Sequence, residues 1–212
     1  MTAVTLEALD LAALLCSRVC HDVISPVGAI VNGLEVLEDE KDASMRELAF
    51  DLIAKSARQA SARLQFARLA FGAAGSAGAA IDTGDAEQVA RAFVSDENTS
   101  LGWTGSRLLL PKNRVKLLLN LILIADNAIP RGGALDVEVL DEGARFVVRA
   151  KGLNARIPPH APELMAGRTA DGTVDAHAIQ PFYAGLVAEA AGMDVSFAID
   201  ADVVTITAGL RA

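Results

Sequence analysis

Along the first seventy residues, apolar side chains recur at alternating steps of three and four: Leu6, Leu9, Ala13, Cys16, Cys20, Val23, Val27, Ile30, Leu34 and Leu37. That spacing is the heptad seam of a helix packed in a bundle. It stops at the polar run Glu38-Asp39-Glu40-Lys41-Asp42, after which Ser44 and Glu47 have the spacing of a capping box and open a second helix. The second seam is Phe50, Ile53, Ala57, Ala60, Leu64, Ala67 and Phe71; it ends at Gly72 in the small-residue stretch 72–78, which reads as a linker. So short a turn between the helices predicts an antiparallel hairpin, and a hairpin alone cannot bury two apolar seams. Either the rest of the chain covers them or two copies pair into a four-helix bundle, and the regularity of the seams favours a homodimer.

From about residue 80 the pattern changes, and helices mix with strands. The periodicity predicts helices over 85–94, 113–129 and 176–191, and strands over 135–140, 145–150, 194–199 and 203–208. The expected organisation is therefore α + α/β: a helical hairpin over 1–75, a linker over 76–80 and an α/β sandwich over 81–212.

Composition narrows the function. With 52% apolar and 22% charged residues, the 212-residue chain should bury a real core. A net charge of -8 argues against a nucleic-acid partner, because phosphate-backbone binding needs basic patches to displace counterions. No apolar run reaches the roughly 18 to 20 residues of a membrane span, and no basic segment precedes an apolar core at the N-terminus. The expectation is a cytoplasmic protein without a membrane partner. Cys16 and Cys20 lie four apart on one helix face with no further thiol, so they read as reduced and structural.

The candidate chemistry lies in Cys20-His21-Asp22-Val23-Ile24-Ser25-Pro26. If Cys20 and Val23 are seam positions, His21 sits about 130° from the centre of the stripe and faces solvent. Its neighbours at helical spacing are Leu14, Ser17, Arg18, Ile24, Ser25 and Gly28. Two aliphatic side chains beside an exposed histidine suggest a surface that another protein covers, and Gly28 offers little to obstruct it. Pro26 cannot donate to the carbonyl of Asp22, and an interior helix proline costs about 3 kcal/mol. Asp22 can accept a hydrogen bond from one ring nitrogen of His21 and leave the other with its lone pair free as a nucleophile. An exposed histidine alone is usually only a surface residue; the histidine, acid and proline together point to chemistry. A metal site built on Cys16, Cys20 and His21 fails on geometry, since the thiols point into the seam and the histidine away from it, so no metal is expected. His160 and His177 read as loop or surface residues.

His21-Asp22-Val23-Ile24-Ser25-Pro26 resembles the phosphoacceptor box of sensor histidine kinases: a histidine, an acid, a hydroxyl residue four positions on, and a proline. The resemblance implies a dimeric helical hairpin followed by a Bergerat-type ATP-binding α/β sandwich, the order read above, and it covers the whole chain. Three nucleotide elements depart from it. In the segment Asn120 to Pro130, similar to the asparagine-box helix, the magnesium-holding position is Ile124, which has no oxygen for a hard cation. In the strand and turn Arg145 to Asn154, Ala150 replaces the adenine-binding aspartate and Asn154 the second glycine. The segment Ala178-Ile179-Gln180-Pro181-Phe182-Tyr183, where a phosphate-cradling lid would lie, has no glycine.

This combination resembles the histidine phosphotransferases of bacterial phosphorelays, which carry a degenerate kinase-like ATPase domain. The resemblance implies that His21, oriented by Asp22, relays a phosphoryl group in a cell-cycle pathway. The donor would be the receiver of a CckA-like hybrid histidine kinase, and the acceptors CtrA-like and CpdR-like response regulators. It implies no cofactor of the chain's own, with Mg2+ supplied by the partner receiver. Beside it, Arg18 reads as a helper that neutralises the phosphoryl group or as a solvated surface arginine. Ser25 reads as a group that orients water or phosphoryl oxygens. Ser61, with Ala57, Ala60 and Ala62, reads as a place on the second helix where a receiver settles at the level of His21. Two rivals remain: a non-catalytic pseudokinase scaffold that dimerises and binds response regulators, and an ATP-using histidine kinase with divergent boxes.

Overall fold

A computed structural model describes residues 2–72, 80–94 and 98–211. The linker expected at 76–80 therefore lies outside the described residues except for Ala80, which opens a strand.

Helices α1 (Ala8–Asp39) and α2 (Ala43–Ala70) form the antiparallel hairpin that the seams predict. The cap of α2 is not the Ser44 box. Asp42 is the N-cap, its carboxylate accepting from the backbone N–H of Ser44 and Met45. The Ser44 hydroxyl and those two amides hold the Asp42 carboxyl below the usual carboxylate range. Arg46 ties the turn by donating to the carbonyls of Leu37 and Glu40.

The face that α1 turns to α2 also differs from the expected seam. Its two buried residues are Pro26 and Gly33, and a Cβ on Gly33 would lie 2.6 Å from Ile53 Cγ1. Small residues let the helix axes approach, and α2 answers with Ala49, Ser56 and Ala60. Within one chain the large seam residues point outward instead: Leu9 is 85% exposed, Val27 44% and Leu34 48%, with Cys16 and Cys20, both free thiols, also exposed. Phe50 and Leu64 on α2 are likewise exposed. The heptad pattern thus marks a second, outward stripe, whereas the intrachain contact is made by residues too small to register as a hydrophobic period. The same surplus makes α1 long and apolar enough, by length and composition, to cross a membrane, which corrects the expectation that no segment approaches a span.

The C-terminal end of α2 enters the core of the second unit. Phe66 and Ala70 are fully buried there, with the Phe66 ring 4.4 Å from that of Phe93. That unit is built on a five-stranded sheet of β3 (Thr99–Thr104), β5 (Gly133–Leu140), β6 (Arg145–Lys151), β9 (Val203–Leu210) and β8 (Met193–Asp200), in that spatial order. β3 runs parallel to β5, and the other pairings are antiparallel. Alternation sets its inner face: Leu135, Val137 and Val139 on β5, Phe146, Val148 and Ala150 on β6, Val204, Ile206 and Ala208 on β9. Helices α3 (Thr83–Val94), α4 (Lys112–Ala128) and α6 (Ile179–Ala191) contribute to the same core. α4 is buried on every side from Val115 to Ala125 because it packs against the sheet as well as α2 and α6.

The four predicted strands and three predicted helices are all present. The structure adds β3, the short pairs β2 (Ala80–Asp82) with β4 (Leu109–Pro111) and β1 (Thr2–Ala3) with β7 (Arg168–Thr169), and a short α5 (Ala161–Met165). These elements are brief or, as in Thr99-Ser100-Leu101-Gly102-Trp103-Thr104, interrupted by glycine, so tertiary pairing rather than local pattern defines them.

Candidate functional site

His21 projects from the middle of α1 with its side chain 69% exposed, as the helical phase predicts. Asp22, the next residue, is half-buried and faces two partners. Its Oδ2 accepts from Arg18 Nε at 3.0 Å, and its Oδ1 lies 3.5 Å from His21 Nδ1, at the outer limit of a hydrogen bond. The carboxylate therefore stands on the Nδ1 side of the ring, favouring the tautomer protonated at Nδ1 with the lone pair on Nε2. Arg18 is no free surface cation: one turn before His21, it is paired with the carboxylate that faces the imidazole.

The proline one turn after His21 leaves the Asp22 carbonyl without its helical donor. That vacancy is filled from the other helix, where Arg63 Nη1 donates to the Asp22 carbonyl at 2.5 Å. α1 thereby stays continuous through Pro26, and the backbone beside His21 is pinned to α2. Arg63→Met should destabilise the chain by about 1 kcal/mol, the cost of leaving a part-buried acceptor without its partner. In a Pro26→Ala background, which restores the helical N–H, the same change should cost clearly less. Urea unfolding of the four proteins measures this coupling, and equal costs in both backgrounds would contradict it.

Around His21, Ile24 is 71% exposed, Ser17 and Ser25 are exposed, and Leu14 and Gly28 are half-buried. Nothing lies within 4 Å of the space a Cβ on Gly28 would fill, so that side of α1 is open. On α2, Ser61 is exposed and accepts from Gln65 Nε2 at 3.0 Å. Of the small residues expected to receive a partner beside it, Ala60 is buried in the hairpin and unavailable, while Ala57 is exposed. Arg63 is an α2 residue that reaches the backbone beside His21. A second residue missed in the sequence is His177, whose ring meets that of His21 edge to face, centroids 5.9 Å apart and planes at 78°. His177 is a surface residue as expected, but one against the candidate nucleophile.

Apolar side chains stand at two of the positions that the resemblance assigns to a nucleotide site. Ile124 and Ala150 are buried apolar side chains, and Asn154 occupies an exposed left-handed turn (φ 61). Asn120 is fully buried and its amide is consumed by the fold: it donates to the carbonyls of Ala70 and Lys116 at 3.2 and 2.9 Å, and its Oδ1 accepts from Gln180 Nε2 at 3.0 Å. The segment where a lid would lie is the first turn of α6, with Ile179, Gln180 and Phe182 buried. These residues do not fit a metal-bound nucleotide. Asn120→Ala should strip the side-chain donor from the Ala70 carbonyl, costing about 1–3 kcal/mol, while the Gln180 amide keeps the backbone carbonyl of residue 120 as its acceptor. Thermal and urea unfolding would detect this loss, and unchanged stability would show that the network contributes nothing.

Comparison with known proteins identifies the family. Residues 83–203 match the family model for the histidine phosphotransferase C-terminal domain. The chain is 56% identical to the protein phosphotransferase ChpT of Brucella abortus (strain 2308) over 207 residues, 97% of this chain and 98% of that one. It superimposes on a solved bacterial phosphotransferase structure with a TM-score of 0.90 at 52% identity, covering 98% of this chain and 100% of the other. With the phosphoacceptor-type box on its first helix and the family's domain behind it, the chain belongs to the histidine phosphotransferase family.

Proposed function

We propose that His21 is the relay nucleophile of a phosphorelay. Its Nε2 attacks the phosphorus of an aspartyl phosphate on a donor receiver: the N–P bond forms, and the P–O bond breaks with its electron pair leaving on the aspartate carboxylate. In the second transfer an acceptor aspartate attacks the phosphohistidine, the N–P bond breaks, and the electron pair returns to Nε2. Both steps depend mainly on positioning and charge neutralisation. The observation that carries this reading is the exposed imidazole whose Nδ1 faces a carboxylate already held by Arg18.

Asp22 orients the ring and stabilises the positive charge it acquires, and Arg18 fixes Asp22. Leu14, Ser17, Ile24, Ser25 and Gly28, with Ser61 on α2, form the surface a receiver covers. No cofactor belongs to the chain, because Ile124 and Ala150 offer nothing to a nucleotide or its metal. The Mg2+ that supports receiver chemistry enters with the partner. The donor is the receiver of a CckA-like hybrid histidine kinase, the acceptors are CtrA-like and CpdR-like response regulators of a cell-cycle pathway, and the relay is cytoplasmic, without membrane or nucleic-acid partners. The chain works as a homodimer in which the outward stripes of two hairpins over 1–75 form a four-helix bundle, and the degenerate ATPase-like unit over 81–212 follows the linker.

A chase experiment tests the relay. The chain is labelled from a phosphorylated donor receiver and repurified, and an unphosphorylated acceptor receiver is then added. Label moving to the acceptor supports relay. Label that never reaches the chain, with receiver binding intact, would favour the pseudokinase scaffold.

A further inference from the structure

Apart from Asp22, the ring contact His21 makes in the hairpin's surroundings comes from the α/β unit. His177 stands in the turn ahead of α6, and that turn is well supported. The Asp175 carboxylate accepts from the backbone N–H of His177 and Ala178 at 2.9 and 2.8 Å, and the Asp175 carbonyl accepts from Ile179 at 3.0 Å. Immediately after it, Ile179, Gln180 and Phe182 are buried, and Gln180 is bonded to Asn120 on α4. A side chain on so anchored a turn is presented at a fixed place. His21, in contrast, is an exposed side chain whose Nδ1 lies 3.5 Å from Asp22, the outer limit of a hydrogen bond, so a second contact on the ring adds to the orientation that Asp22 gives it.

We propose that His177 is a positioning residue for the transfer reaction: its edge-to-face contact holds the His21 ring in the orientation that presents Nε2 to the incoming phosphorus. The inference rests on the reading of His21 as the nucleophile. It also gives the degenerate α/β unit a present task. The side chains that occupy the former nucleotide region, Gln180 and its bonded partner Asn120, anchor the turn that carries His177, so the unit has exchanged nucleotide binding for support of the phosphoacceptor.

The test uses the full chain, its His21→Ala variant and an isolated receiver domain phosphorylated with acetyl phosphate, one that labels the wild-type chain. Rates of label transfer are measured against receiver concentration for wild type, His177→Ala, His177→Phe and His177→Asn. His177→Ala should lower kcat about 3- to 10-fold, the range that an aromatic pair contact is worth, with KM unchanged. His177→Phe, which keeps a ring at the contact, should restore most of the rate, and His177→Asn, which keeps polarity without a ring, should not. An unchanged kcat in His177→Ala, a loss confined to KM, or a phenylalanine variant no faster than the alanine one would overturn the proposal. Equal labelling of the wild-type chain and His21→Ala would instead overturn the reading of His21 on which it rests.

Discussion

His21→Ala should abolish phosphoryl uptake from a phosphorylated receiver, to below about one part in a thousand of the wild-type rate, while the fold and receiver binding persist. The size follows from the chemistry: the exposed neighbours Ser17, Ile24 and Ser25 offer hydroxyl and aliphatic groups in place of an imidazole nitrogen, and loss of a covalent nucleophile removes the acceptor itself. Retention of the fold follows from exposure. A side chain 69% exposed adds little to stability, and such surface changes fall within about 0.5 kcal/mol. His21→Asn should behave the same way, since it keeps polarity but has no nucleophilic ring nitrogen. Thermal unfolding, receiver pull-down and label transfer on the same preparations separate the effects. Residual transfer at a tenth of wild type would show that another residue accepts the phosphoryl group.

The second large effect is on assembly. Val27 and Leu34 lie on the outward stripe of α1 and are 44% and 48% exposed in the single chain, as is most of Leu9 at 85%. A helix that repeats large apolar residues in heptads along a solvent-facing side leaves that area to be covered, and a second copy presents the same stripe in a self-complementary way. Val27→Asp with Leu34→Asp would place two carboxylates from each chain in the seam of the four-helix bundle. Desolvation of those unpaired charges should weaken the dimer at least 100-fold and yield monomers at micromolar concentration. Because both residues are about half exposed and neither belongs to the buried core of its own chain, the monomer should remain folded. Light scattering with circular dichroism decides it; a double variant that stays dimeric, or a wild type that is already monomeric, would remove the bundle from the account.

Much of this architecture was legible in the sequence, and the exceptions share a cause. Heptads located both hairpin helices, and alternation located β5, β6, β8 and β9, because burial on one face imposes a local period. The facing of α1 was not legible: Pro26 and Gly33 make the intrachain contact, and neither belongs to a hydrophobic pattern. At the site, the exposure of His21 and its pairing with Asp22 could be read from spacing, whereas the replacements at Ile124 and Ala150 acquired meaning only through the resemblance to histidine kinases. Arg63 and His177 could not, because they meet the site across 41 and 156 residues of chain. For Arg63 a signal did exist. A proline inside a packed helix leaves a carbonyl that some donor must satisfy, and the cations of the facing helix near that level are few. For His177 no local rule applies, since its place depends on how α6 docks against α1 and α4.

The central claim is that this chain takes its phosphoryl group from a receiver and not from a nucleotide. The most direct measurement incubates one preparation with radiolabelled ATP and magnesium alone, and a second with a receiver that has been prephosphorylated and freed of nucleotide. The account predicts acid-labile label on His21 from the receiver and none from ATP. Label arriving from ATP alone would contradict it and make the chain a histidine kinase despite Ile124 and Ala150.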